Sequence, residues 1–225
     1  MRSGQKLICV IGLGQFGSHI ARELAQHCEV LALDSSEKRV NLIVDEVQRA
    51  LIIDARDFQT LSSLVTPDFD EAIVSLGESM EASILCTLHL KRIGIKTIRA
   101  KAVTEDHAAI LRAVGATETI FPERETAQRL AAQIANPNLL DFIPLAEDFR
   151  VMDVAPPDSF HGHSLQELNV RDQFGVFVIA VKELVPPRFV FLPGPTFRIK
   201  PSDVLVVIGR ESDLQNLLRE AESSI

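Results

Sequence analysis

Three glycines, Gly12, Gly14 and Gly17, and one acid, Asp34, have the types and spacing that could do chemistry. The glycines follow an apolar run at residues 7–11, and Asp34 closes a second run at 30–33, twenty positions after Gly14. A helical pattern lies between the runs, so the stretch from Lys6 to Asp34 predicts strand, turn, helix and strand. In such a unit the first glycine permits a tight turn, the second lets the backbone approach a pyrophosphate, and the third lets the helix close onto the strand. The N–H groups at the helix start, around Gln15 and Phe16, then face the anion. Asp34 can accept both ribose hydroxyls and would repel a 2′-phosphate, so the expected ligand is a dinucleotide or an adenine nucleotide with a free ribose. The alternative is a glycine-rich turn in some other α/β protein; both strands and the terminal acid, each where the mechanism requires it, weigh against that.

These residues need a sheet to position them. Apolar runs at 50–53, 71–76, 96–100 and 117–121 alternate with helical patterns, which predicts a complete Rossmann-like α/β fold with a doubly wound parallel sheet. Ser35 is expected to cap a helix carrying Val40, Ile43, Val44 and Val47. Asp54, Ala55, Arg56 and Asp57 follow the third strand, where a nucleotide fold runs beside the adenine; residues 54–56 are candidate base contacts, and an N-cap role for one of the aspartates is equally open. Gly77 and Glu78 lie at the carboxyl end of the fourth strand, the edge where such sheets hold ligands. Ser79 and Gly94 should bound the next helix and Thr104 and Gly115 the one after it, with Arg99 and Lys101 at the end of the fifth strand.

Beyond Glu123, a helix with Ala127, Leu130, Ala131 and Ile134 on one face suits packing against another helix, within the chain or on a partner. Residues 136–138 break it, 139–143 read as a further turn of helix, and a domain boundary falls near Pro144. Short strands at 150–154, 175–181 and 203–208, a short helix at 164–168 and a closing helix from Glu211 make a small α+β module of about 80 residues. The expected domains are a nucleotide-binding lobe at 1–122, a crossover helix and linker at 123–144, and a C-terminal lobe at 145–225.

Across 225 residues the formal charge is −8, and no run of Lys and Arg stands free of acids, which argues against a nucleic-acid partner. No apolar stretch approaches the ~20 residues that span a bilayer, so the expectation is a soluble intracellular protein. Cys9, Cys28 and Cys86 are widely spaced and odd in number, which suits core thiols rather than metal ligands. The chain has no Tyr, so the Tyr and Lys pair of short-chain dehydrogenases cannot exist here. His107 has apolar neighbours at helical spacing and reads as a core or interface histidine, and His161 and His163 as a solvated loop. A nucleotide fold without a visible acid/base group points to a sensor whose conformational equilibrium a partner reads. An NAD-dependent oxidoreductase is the rival.

Several blocks resemble the RCK proteins of the Ktr and Trk family, cytoplasmic subunits that gate potassium uptake through membrane proteins. They are VIGLGQFG at 10–17, LALD at 31–34, IDARD at 53–57, IVSLGES at 73–79, IRAKA at 98–102, HAAILRAVGA at 107–116 and FPE at 121–123, with LNVRDQFGVFVIAVK at 168–182 and PSDVLVVIG at 201–209. The resemblance implies an RCK N-lobe binding NAD(H), ATP or ADP, dimers exchanged through the helix after Glu123, and an octameric ring docked under a membrane-embedded potassium transporter subunit. It matches Gly12, Gly14 and Gly17 to the phosphate loop, Asp34 to the ribose acid and Lys101 to a basic residue near the phosphates. Glu123 matches a carboxylate near the terminal phosphate and a divalent cation. Many relatives carry Arg at the position of Gln15; an uncharged donor makes the weaker bond, which shifts weight from ATP toward NAD(H) or ADP. In some relatives the C-lobe binds cyclic di-AMP, and Val170, Arg171 and Ile179 lie in that stretch. An RCK regulator of another channel or antiporter is the neighbouring alternative.

Overall fold

The computed structural model describes residues 4–77 and 79–222, and the chain divides into two compact units between Glu123 and Arg124. The first unit alternates strand and helix: β1 (Leu7–Ile11), α1 (Gln15–Ala25), β2 (Glu29–Asp34), α2 (Glu37–Asn41), β3 (Arg49–Ile52), α3 (Phe58–Leu64), β4 (Glu71–Val74), α4 (Met80–Ile93), β5 (Ile98–Lys101), α5 (Glu105–Val114) and β6 (Glu118–Ile120). The six strands are all parallel, in the order β3-β2-β1-β4-β5-β6. Each crossover returns through a helix, so both faces are covered and β1 and β2 are apolar almost throughout. Two apolar layers result, one around Leu33, Leu61 and Leu90 and one around Val10, Ala32 and Ile43.

The helix ends follow local chemistry. Ser79 and Thr104 cap α4 and α5 by accepting from Ala82 N–H and His107 N–H, and Gly94 and Gly115 end them at positive φ. At α2 the N-cap is Ser36 rather than Ser35, and the helix stops at Asn41 instead of reaching Val47. His107 is fully buried: Ser83 Oγ lies 2.7 Å from Nε2, and Val103 N–H donates to Nδ1 at 3.4 Å.

The second unit begins in α6 (Pro122–Ala135), followed by β7 (Leu139–Pro144), β8 (Phe149–Val154), a 3-10 turn at Asp158–Phe160, α7 (Leu165–Leu168), α8 (Val170–Phe174), β9 (Phe177–Leu184), β10 (Pro187–Phe191), β11 (Asp203–Arg210) and α9 (Glu211–Glu222). Its strands pair antiparallel in the order β10-β9-β11-β8-β7. Ser164 and Glu167 form a reciprocal capping box at α7.

Residues 139–144, expected as helix and linker, are instead an edge strand on β8, with Phe142 opposite Met152. So short a segment, with Asp141 among its apolar residues, has no clear period of its own, and pairing with β8 decides it. The segment after α6 thus lies inside the second sheet. Pro187 opens edge strand β10, where a missing N–H is tolerated.

Candidate functional site

The three glycines divide into two kinds. Gly12 sits at φ +92°, and a Cβ there would lie 2.5 Å from Ser75 O; a Cβ on Gly17 would lie 1.8 Å from Gly12 O. Gly12 is required by the close approach of the segment after β4, and Gly17 by the packing of α1 over the turn after β1. Gly14 is the N-cap of α1 with an ordinary φ of −67°, and a Cβ on it would meet no protein atom within 4 Å. The space above it belongs to a cavity of about 350 Å³ that Gly14, Gln15 and Phe16 line. No side chain caps α1 and no acid stands in its first turn, so its leading N–H groups suit an anion.

Asp34 ends β2 beside this opening and is only 4% exposed. Its Oδ2 accepts from Leu13 N–H at 2.6 Å and its Oδ1 from Ser36 N–H at 2.7 Å. The carboxylate therefore pins the glycine turn to the end of β2, and with roughly four lone-pair sites it keeps capacity for ribose hydroxyls. Ser35 lines the cavity, as does Arg39, whose Nη1 lies 3.6 Å from Asp34 Oδ2.

Asp54, Ala55 and Arg56, after the neighbouring strand β3, also line the cavity. Asp54 accepts from the Arg56 backbone at 2.9 Å and pairs with its guanidinium at 2.7 Å, which holds the Asp54 carboxyl below its usual value. Asp57 is the N-cap of α3, accepting from Gln59 N–H at 2.9 Å. The N-cap role left open for this turn thus falls on Asp57. His89, on α4, lies 3.0 Å from the Arg56 carbonyl through Nε2, which must carry the hydrogen to donate there, and stacks edge-on against Phe58. Nothing in the sequence singles out His89; only the approach of α4 to the turn gives it this role.

At the far end, Gly77 lines the cavity with Ser75 and Ser79. Lys101, at the end of β5, hydrogen-bonds Glu123, and this contact holds the Glu123 carboxyl below its ordinary value. Both line the cavity. Arg99 does not: Glu71 on β4 and Glu118 on β6 take its guanidinium, the second at 2.8 Å, because the flanking strands place carboxylates on either side. Glu78 lies outside the described residues. The cavity opens at the carboxyl ends of β1 and β4, where the strand order reverses, the place open α/β sheets hold ligands.

In the second unit Val170 and Arg171 line a shallow hollow of about 180 Å³ with Phe177, and the Arg171 guanidinium lies 4.7 Å from that ring. Ile179 is not among its lining residues. Among the described residues no group of three or more His, Cys, Asp or Glu could hold a metal, and no helix is long and apolar enough to cross a membrane. The cysteines are free, Cys9 and Cys86 are buried, and burial pushes both thiols well above the usual thiol value and so out of the reactive range.

Comparison with known proteins places this arrangement. The TrkA-N domain matches residues 8–122 and the TrkA-C domain residues 150–221. This chain belongs to the TrkA-N and TrkA-C family. Among relatives, the Ktr system potassium uptake protein C of Bacillus subtilis is 35% identical over 93% of this chain and 95% of its own length. The Ktr system potassium uptake protein A of the same organism is 32% identical, covering 97% of this chain and 98% of that one. Among solved structures, the GsuK channel bound to NAD superposes on all of this chain with a TM-score of 0.62 at 16% identity, and the chain spans 40% of that channel's length. At that identity the likeness is one of fold.

Proposed function

We propose that this chain is a nucleotide-sensing regulatory subunit of a Ktr-type potassium uptake system, without catalytic activity of its own, acting at the cytoplasmic face of a membrane partner. The observation that carries the reading is one cavity joining an uncapped helix N-terminus at Gly14, the ribose-competent acid Asp34 and the Lys101–Glu123 pair. Phosphates bridge the α1 amides and Lys101, which draws Lys101 away from Glu123 and frees that carboxylate for a divalent cation. Family membership supports potassium uptake as the process served. NAD(H), ADP and ATP are the ligand class, with Gln15 favouring the first two. Leu130 and Ile134, 54% and 73% exposed on α6, are the surface through which copies pair on the way to an octameric ring. Cyclic di-AMP at the hollow by Val170 and Arg171 is a second effector consistent with this reading.

A ligand moves a ring between shapes only by its difference in affinity for them. The test is calorimetric titration of the nucleotide-stripped protein with ATP, ADP, NAD⁺ and NADH, paired with small-angle scattering of each complex. Binding by at least one, with different scattering profiles for two competing nucleotides, is expected. No binding, or one profile for all, refutes the sensor reading.

A further inference from the structure

The charge of Asp34, taken from sequence, excludes a 2′-phosphate; the structure alters that premise. Asp34 is not an isolated anion, because two backbone N–H groups donate to it and the Arg39 guanidinium lies 3.6 Å away, so the pair is neutral overall. Arg39 also lines the cavity.

We propose that Arg39 reads the ribose 2′ position, turning from Asp34 to a 2′-phosphate, so that the site accepts 2′-phosphorylated adenine nucleotides as well as those with free ribose hydroxyls. The proposal rests on the nucleotide reading of the cavity. The two partners differ in exposure: the Arg39 side chain is 41% exposed and that of Asp34 only 3%. When Arg39 turns away, Leu13 N–H and Ser36 N–H still satisfy the carboxylate, so no buried charge is orphaned. Buried Val40 anchors the short helix α2 while Arg39 stays at its surface. Against a free ribose, Arg39 remains on Asp34 and the hydroxyls use the carboxylate's remaining lone pairs. Against a 2′-phosphate, the planar guanidinium fork meets the phosphate oxygens and offsets the lost hydroxyl contacts. The other guanidinium lining the cavity, Arg56, is paired with Asp54 at 2.7 Å.

The experiment titrates the full, nucleotide-stripped chain with AMP against adenosine 2′,5′-bisphosphate, and with NADH against NADPH. The phosphorylated probe of each pair is expected to bind within about tenfold of its partner. Arg39→Gln should weaken only the phosphorylated probes, by about 10- to 100-fold, the loss of one charge-assisted contact. Arg39→Lys, which keeps the charge and loses the fork, should fall between. NADPH binding more than about 100-fold below NADH in the unaltered protein, or equal losses for both members of a pair in either variant, overturns the proposal. Refusal of NADPH with NADH bound refutes this inference alone, whereas refusal of all four probes refutes the nucleotide reading and this inference with it.

Discussion

Gly14 and Gly17 stand three residues apart in one motif, yet alanine should do opposite things at the two positions. A methyl on Gly17 falls 1.8 Å from Gly12 O, where about 3.0 Å is the closest such a carbon comes, and the obstructing atom is backbone. The whole of α1 would have to lift from the turn, so Gly17→Ala should cost about 3 kcal/mol or more, the upper part of the overpacking range. For a chain of this size that lowers the unfolding midpoint by about 6 to 12 °C. A methyl on Gly14 meets nothing within 4 Å, and φ of −67° suits alanine. Alanine is a poorer N-cap than glycine by about half a kcal/mol or more, and it restricts the unfolded chain by a comparable amount in the opposite sense. The two effects offset, and Gly14→Ala should hold its stability to within about 0.5 kcal/mol. Its methyl nonetheless occupies the space where phosphate oxygens would reach the α1 amides, and loss of one such contact weakens binding by about 10- to 100-fold. Thermal unfolding and calorimetry with ADP on both variants decide the matter. If Gly14→Ala binds ADP like the unaltered protein, the cavity above the helix is not the phosphate site.

Asp34→Asn should lose nucleotide affinity and, by presenting one donor too many to Leu13 N–H or Ser36 N–H, also lower the unfolding midpoint; affinity loss with unchanged stability would mean those backbone contacts do not matter. Burial holds His107 below the usual histidine value, so the folded state binds fewer protons than the unfolded one as pH drops below about 6.5. Stability should therefore fall with acidification from that point down to the lower folded value, and His107→Gln should flatten the slope in urea titrations between pH 7.5 and 5.5. Leu130→Glu with Ile134→Glu should reduce the mass seen by light scattering without changing the circular dichroism spectrum, since neither side chain is buried in the chain itself. Ser164→Ala removes the hydroxyl half of a capping box, leaving the Ser164 N–H bond to Glu167, and should cost about 1 kcal/mol in denaturant unfolding.

Elements with a strong local signal were legible from sequence. The glycine turn, its flanking strands and the caps at Ser79, Thr104 and Ser164 each depend on residues within a few positions of one another, so spacing alone reveals them. Elements defined by a partner were not. Residues 139–144 become a strand only against β8, and Pro187–Phe191 only against β9. The candidate site shows the same division. Gly14, Asp34, Asp54 and Lys101 stood out because each sits at or just past the end of a strand, the edge that faces a ligand in a parallel sheet, and Glu123, on α6, stood out through the family resemblance. Arg39 and His89 carried no such mark, since a charged or aromatic residue in a helix is ordinary until the sheet shows what it faces.

Sequence by itself determined the order of elements, the parallel sheet and which strand ends carry polar groups, because hydrophobic periodicity and glycine sterics are local properties. Tertiary structure alone decided that Arg99 belongs to Glu71 and Glu118 rather than to the cavity, and that Asp34 shares its charge with Arg39. Those outcomes depend on atoms brought together from distant strands and helices, and a distance of a few ångströms across the sheet has no counterpart in spacing along the chain.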